Sequence, residues 1–328
     1  MVFERRLDLP DRYILDFEEP LRQIRQKINE MESWVEHKPA YAKAEIQRLE
    51  EQEKRLSSEI YSHLSSWQRV QIARHPNRPY TLDYIDMMMT DFTELHGDRY
   101  AGDDPAMVAG FAKLEDMPVA VIGHQKGRDN ESRIQRNFGM SNPEGYRKAL
   151  RIMKLAEKFS RPVLSFVDTP GAFPGIQAEE HGQGEAIAHN LMEMSRLKVP
   201  IIMTIIGEGG SGGALGIGVG DKIIMLENAW YSVIAPESCA TILMRSTEKK
   251  DQLAEALKLS ASDLKKLGII DTIIPEPFGG AHNDPPKVAD KLKSEIMKLL
   301  KALKKISSEE LVRSRIRKFQ SIGRWSEK

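Results

Sequence analysis

One stretch constrains this 328-residue sequence more than any other. The apolar run Ile201–Ile206 passes straight into a cluster of eight glycines between Gly207 and Gly220, out of 23 in the whole chain. A short apolar run of this kind reads as a buried strand. Glycine costs a helix ~1 kcal/mol relative to alanine, so this many together need a reason: a positive φ, a close backbone approach or tight packing. Two readings stand side by side. The glycines serve close packing alone, or they leave peptide N–H groups free at a helix start, where such groups stabilise negative charge without any ionisable side chain.

The strand is one of a series. Pro118, Pro162 and Pro200, spaced 44 and 38 residues apart, each open an apolar run that ends in a glycine-bearing loop. That spacing fits a strand, a loop and a returning helix, and predicts an α/β core with largely parallel strands. Ligands of such cores bind at the carboxyl ends of the strands. The expected elements are a hairpin of Met107–Leu114 and Pro118–His124, a helix from Glu144 to Phe159, a strand Pro162–Val167, a helix from Glu179 to Leu197, and strands Pro200–Ile206 and Lys222–Leu226. Earlier in the chain, Leu21, Ile24, Ile28 and Met31 form one helical stripe, and Ile46, Leu49, Leu56, Ile60, Leu64 and Trp67 another, parted around Pro39. Two helices folded back on each other would bury both stripes. Near the end, Val288, Leu292, Ile296, Leu299 and Leu303 recur at helical spacing, and Ser307 with Glu310 makes a capping box for a last helix. Three regions follow: a helical 1–75, a core 76–284, and basic helices 285–328.

Charge narrows the partners. Lys and Arg number 48, as do Asp and Glu, so the chain lacks the basic excess of a general nucleic-acid binder. Locally the balance fails: 285–328 holds 13 basic and 5 acidic residues, which reads as a solvated helix face or as a contact for an acidic partner. Cys239 is the only cysteine, which excludes an internal disulfide and any zinc site needing two cysteines from one chain. The start, Met1 to Tyr13, lacks the apolar stretch of a secretory signal. No apolar run approaches the ~20 residues needed to cross a bilayer. The expectation is a soluble, cytoplasmic protein.

Three motif templates meet the glycine cluster. Gly207-x-Gly209-x-x-Gly212 fits a dinucleotide fingerprint, with Glu227 at the ribose position. Only nine residues then separate Gly212 from Lys222, whereas a crossover with its helix needs at least ~10–12. Gly209-x-Ser211-x-Gly213 fits a nucleophile elbow, for which the only following histidine is His282. A phosphate loop is absent, which leaves Asp168-Thr169-Pro170-Gly171 without a phosphate-loop partner. His181, Glu185 and His189 invite a metal reading, but eight residues of helix part the two imidazoles by ~12 Å, so a polar helix face is the expectation. Cys239 has no histidine nearby in sequence, and lone cysteines are often simply buried.

Other blocks carry a family resemblance. They are Arg74-His75-Pro76-x-Arg78-Pro79-Tyr80-Thr81-Leu82-Asp83-Tyr84, Gly97-Asp98-Arg99, Gly123-His124-Gln125-Lys126-Gly127-Arg128, Asn137-Phe138-Gly139-Met140 with Pro143-Glu144-Gly145-Tyr146-Arg147-Lys148-Ala149, Asp168 to Gly175, Gly207 to Ala214, and Ile274-Pro275-Glu276-Pro277 with Gly279-Gly280-Ala281-His282. In this order and spacing, over roughly residues 10–285, the sequence resembles the alpha-subunit family of the bacterial acetyl-CoA carboxylase carboxyltransferases.

The resemblance implies a crotonase-like core of ββα units stacked as a superhelix, with an N-terminal helical hairpin and C-terminal helices. Periodicity alone does not choose this over a doubly wound sheet. It implies an alpha2beta2 assembly with a separate beta subunit. That assembly would move a carboxyl group from carboxybiotin, borne on a biotin carboxyl carrier protein, to acetyl-CoA, giving malonyl-CoA for fatty acid synthesis. An ATP-dependent biotin carboxylase would load the biotin beforehand, and zinc is expected only in the beta subunit. The resemblance assigns the N–H groups of Gly209 and Gly210 to the biotin ureido oxygen, and an equivalent pair in the beta chain to the thioester enolate. Gly171 and Ala172 line the same pocket or form a structural turn. Lys126, Arg128, Arg133 and Arg136 form a solvated face or meet the substrate carboxylate or CoA phosphates. The ureido group itself can accept the methyl proton, so no side-chain base is required. Two other classes stay open: a non-catalytic scaffold for the beta chain, and a free-standing crotonase-type hydratase or isomerase, which would want a glutamate pair.

Overall fold

The computed structural model describes residues 13–34 and 39–323, so the chain start, the break at 35–38 beside Pro39 and the last five residues lie outside the described residues. Contacts divide the chain into two units, 1–64 and 65–328. In the first, helices Glu19–Ser33 and Pro39–Ser62 pack antiparallel. Arg25 pairs with Glu53 at 2.5 Å, and the Tyr61 hydroxyl donates to Glu18 at 2.6 Å, so early residues of one helix meet late residues of the other. Leu21, Ile24 and Leu49 are buried. The second stripe does not run unbroken to Trp67. Ser65 caps a new helix, Ser66–Ala73, accepting from the Gln68 N–H at 3.2 Å while the Gln68 side chain accepts from the Ser65 N–H at 2.8 Å. This reciprocal box ends one periodic run and starts another.

The second unit is built on one sheet. Its strands are β1 (Thr90–Glu94), β2 (Met107–Leu114), β3 (Met117–His124), β4 (Val163–Thr169), β5 (Ile201–Gly210), β6 (Lys222–Leu226), β7 (Trp230–Ser232) and β8 (Thr272–Ile274). Their order is β1-β2-β3-β4-β5-β6-β8, and β7 pairs with the far end of β5. The expected hairpin is present: β2 and β3 pair antiparallel from Met107↔His124 to Leu114↔Met117, and Glu115 turns the corner at φ 54°. From β3 onward the strands pair with one another in parallel, and a single antiparallel bridge joins Trp230 to Ser260. Strands β4 and β5 are buried along their full length, as parallel strands covered on both faces require.

Helices return between the strands. Pro143–Lys158 buries Tyr146, Ala149, Ile152, Met153 and Ala156 along one face, against β2, β3 and the helix Gln183–Arg196. The helix expected over 179–197 is two: Ile176–Glu180 and Gln183–Arg196, parted at Gly182 with φ 85°. Left-handed backbone is accessible to glycine and stops a helix. Ser66–Ala73 packs on β5 and on the helix Lys250–Ala256, within this unit.

The basic C-terminal segment contributes to this core. Pro285–Leu303 buries Val288, Leu292, Ile296 and Leu303, and Ser307 caps Ser308–Gln320 by accepting the Glu310 N–H, while the Glu310 carboxylate accepts from Ser314 and does not close the expected box. Arg315 of that last helix is buried. It holds Asp221 at 2.8 and 2.9 Å and donates to the carbonyls of Met194, Leu197 and Val199 at 2.7–2.9 Å. It thereby satisfies orphan carbonyls at the end of Gln183–Arg196. Asp221 in turn accepts the Ile201 N–H at 2.7 Å, fixing the start of β5. Removing one partner of a buried ion pair costs about 3–5 kcal/mol. We expect Arg315→Ala to lose that much in denaturant unfolding, and Arg315→Met combined with Asp221→Asn to recover most of it. A loss below ~1 kcal/mol for the single variant would contradict the latch.

Candidate active site

The glycine cluster does not begin as a loop. Strand β5 runs four residues past the expected Ile206 and ends at Gly210. The β4–β5 ladder pairs Val167 with Ile205 and then Thr169 with Gly209. Strand β4 advances two residues there and β5 advances four, so β5 bulges over Ile206–Glu208. A bulge frees backbone groups and redirects the strand. Two backbone groups of this stretch are held by buried charged side chains. The Glu208 N–H donates to Asp168 Oδ1 at 2.9 Å, and the Ile206 carbonyl accepts from Arg78 Nε at 2.7 Å.

These charges are themselves partnered. Arg78 forks onto Glu276 at 2.6 and 2.9 Å, both side chains being fully buried. Lys126, at the end of β3, bridges Asp168 at 2.6 Å and Glu208 at 2.7 Å. Arg74 reaches Glu208 at 2.6 Å and also pairs with Glu237. Burial pushes the Glu208 carboxyl up, but Lys126 and Arg74 outweigh it and hold the group down at about 2. The same burial opposes the charge on Lys126, and the two carboxylates more than offset it, raising its pKa. His124, fully buried beside them, is pushed down to about 3 by burial and by Lys126, so its imidazole is neutral.

The glycines are required by crowding. A Cβ on Gly207 would fall on the Asp168 carboxylate, one on Gly210 on the Pro170 carbonyl, and one on Gly213 on the backbone of Gly171. At Gly209 it would lie 2.8 Å from the Tyr231 ring and 3.0 Å from the Trp230 carbonyl. Gly209 stands opposite Thr169 and Tyr231, and Gly210 opposite Ser232, so the ladder reaches both. Beyond them Ser211 turns the chain at φ 49° into the short helix Ser211–Leu215. That helix is too short for a dinucleotide crossover. The turn has the backbone shape of a nucleophile elbow, yet Ser211 shows no hydrogen bond to a histidine.

The remaining sequence candidates separate. Gly171 follows β4, its N–H donating to Thr169 Oγ1 at 3.1 Å, and nothing lies within 4 Å of where its Cβ would sit. Ala172 packs against the core beside it. Lys126 is spent on two internal carboxylates. Arg128 pairs with Asp83, donates to the Pro76 carbonyl at 3.2 Å and stacks over Tyr80. Arg133 is half-buried and reaches only the Gly127 carbonyl, at 3.4 Å, and Arg136 donates to the Pro105 carbonyl at 2.7 Å. His181 bonds Glu144 at 2.8 Å and His189 lies near Glu185, so the two imidazoles do not converge. Cys239 is buried on the helix Pro236–Met244. Sequence reasoning missed Arg74, Arg78, Glu208 and Glu276. The available signal was Glu208 itself, a carboxylate within an otherwise apolar strand and glycines, which demands a buried cation.

Comparison with known proteins places the chain in a family. A family model described as acetyl co-enzyme A carboxylase carboxyltransferase-like matches residues 14–323. The chain belongs to the acetyl-CoA carboxylase carboxyltransferase alpha-subunit family. It is 58% identical to the alpha subunit of Chlorobium luteolum, over 96% of this chain and 98% of that one. The alpha subunit of Syntrophotalea carbinolica is 54% identical, over 94% and 98%. Among solved structures, the transcarboxylase 12S core with methylmalonyl-coenzyme A bound is similar at TM-score 0.53 and 21% identity, over 66% of this chain and 42% of that one. A Pseudomonas malonate decarboxylase hetero-tetramer in complex with coenzyme A is similar at 0.52 and 18%, over 66% and 86%. These likenesses show the crotonase-like carboxyltransferase fold. The family's activity is the carboxyl-transfer half of acetyl-CoA carboxylase.

The charge cluster sets a pH dependence. Glu208 titrates below its ordinary value, so its contribution to stability is complete above about pH 4.5 and is lost as the pH falls toward 2. Glu208→Gln is expected to cost roughly 3 kcal/mol at pH 7 and to flatten the stability curve across that acid window. Unfolding curves for both proteins between pH 7 and pH 2.5 check this, and parallel curves would contradict it.

Proposed function

We propose that this chain, with a beta partner, transfers the carboxyl group of carboxybiotin, presented on a biotin carboxyl carrier protein, to acetyl-CoA, giving malonyl-CoA. The reading includes an alpha2beta2 assembly in the cytoplasm, a separate biotin carboxylase that loads the carrier, and zinc in the beta chain only. Among the described residues no helix is long and apolar enough to cross a membrane. One observation carries the site assignment. Strand β5 ends in two glycines whose side-chain space is taken by the neighbouring backbone and Tyr231, so its catalytic surface is peptide groups.

The surroundings fit a bicyclic urea with one polar edge. Open space borders Gly171, and an apolar cavity of about 440 Å³ starts at Ser211 and Gly212 and is walled by Leu215, Tyr231 and Val233. Carboxybiotin supplies the activated carboxyl group when bound. In this reading the N–H groups of Gly209 and Gly210 point at its ureido oxygen. Each fixed donor of this kind contributes ~2.7–4 kcal/mol, or about 10²–10³ in rate, because it needs no reorganisation as charge develops. The assignment requires the strand pairing of Gly209 and Gly210, with β4 and β7, to open when partner and substrate bind. Gly171, Ala172 and Arg133 keep their place as substrate-facing residues in the proposal, while Lys126 and Arg128 take internal roles.

Two measurements test it. Carboxyl transfer appears only when the chain is reconstituted with a beta subunit, and activity of the beta subunit alone would reduce this chain to a scaffold. Gly209→Ala lowers kcat about 10²–10³-fold with the assembly intact by size-exclusion chromatography, and an assembled variant of full activity would contradict the backbone-donor assignment.

A further inference from the structure

We infer that Asp168 and Arg78 are positioning residues for carboxyl transfer, aiming the Gly209–Gly210 segment by holding two backbone groups at the β5 bulge. The inference rests on the reading of those glycines given above. Strand β5 enters the bulge at Ile206 and leaves it at Glu208, one residue before Gly209. At entry, Arg78 Nε holds the Ile206 carbonyl at 2.7 Å. At exit, Asp168 Oδ1 holds the Glu208 N–H at 2.9 Å. Gly207, between these points, has no side chain and must have none beside the Asp168 carboxylate, and β7 pairs the strand from Glu208 onward.

Both clamps are rigid in turn. Arg78 is locked by the two-pronged contact to Glu276, which also accepts the N–H groups of Asn228 and Ala281 at 3.0 and 2.8 Å. Asp168 is locked by Lys126, which simultaneously holds the Glu208 side chain. Lys126 thus ties the carboxyl ends of β3, β4 and β5 together at one ammonium. A misplacement of ~1 Å at reacting groups costs up to about 10²-fold in rate, so a clamp next to the donor pair governs turnover without touching substrate.

The test uses the reconstituted two-subunit enzyme carrying Asp168→Ala, Asp168→Asn or Asp168→Glu. Carboxyl-transfer kinetics are measured together with hydrogen–deuterium exchange over 205–213. Asp168→Ala is expected to lower kcat by about 10–100-fold, to move KM for acetyl-CoA by less than about threefold, and to speed exchange in that segment. Asp168→Asn keeps an acceptor for the Glu208 N–H and restores at least about half of the loss on a logarithmic scale. Asp168→Glu keeps the charge opposite Lys126 but misplaces the oxygen by one methylene. It reproduces the alanine pattern and serves if the alanine variant does not assemble. Unchanged exchange in the substituted enzymes would overturn the positioning inference alone. Faster exchange with unchanged kcat would overturn it together with the reading of Gly209 and Gly210 as donors. An asparagine variant as slow as alanine would also overturn it, since the acceptor would then not be what matters.

Discussion

The structure turns on a bulge that has to be satisfied from inside the protein. The Glu208 N–H and the Ile206 carbonyl lie where the β4 register slips and the pairing with β6 gives way to β7, and each would cost about 1–3 kcal/mol unpaired. Asp168 and Arg78 satisfy them and thereby bring two charges into the core. A buried charge is tolerable only when paired, so Lys126 and Glu276 follow, and the Glu208 carboxylate that shares Lys126 brings Arg74 and Glu237. One irregularity in one strand thus accounts for seven charged residues drawn from six separate stretches of chain.

This cascade explains why the distinctive sequence blocks belong together. Arg74 and Arg78 lie in the block that opens the core, Lys126 follows β3, Asp168 is the last residue but one of β4, Glu208 lies among the glycines, and Glu276 follows β8. Gly279-Gly280-Ala281-His282 closes the same group, with the His282 ring stacked on His75 at 3.6 Å. Fixed bonds at the strand ends suit a site whose chemistry comes from peptide dipoles. A backbone donor has no side chain to adjust, so its accuracy is that of the strand that carries it.

Much of this was legible in the sequence. The proline-led repeats gave the parallel core, the β2–β3 hairpin stood out around Glu115-Asp116, and the stripe from Val288 to Leu303 appears as a helix with that face buried. Three features were not. Periodicity carried the second N-terminal stripe past Ser65, because a capping box starts a new helix without disturbing apolar spacing. Gly182 was read through as helix, since one glycine in a periodic run is often tolerated. Glycine content suggested a loop at 207–210, where the neighbouring strand ends leave room only for glycine inside a strand. The cations at 126 and 128 looked like a surface stretch. Their partners Asp168, Glu208 and Asp83 lie 82 residues away or fewer, at separations no local pattern reports. Of the two views of the glycine cluster, close packing is what the crowding at Gly207, Gly210 and Gly213 shows, and free donors there belong to the proposal.

The most direct test of the central claim is a structure of the assembled two-subunit enzyme with a biotin or carboxybiotin mimic bound. The account predicts the ureido oxygen within about 3 Å of the Gly209 and Gly210 nitrogens, with the strand pairing of those two amides released. A urea ring bound elsewhere, with both amides still paired to neighbouring carbonyls, would contradict it.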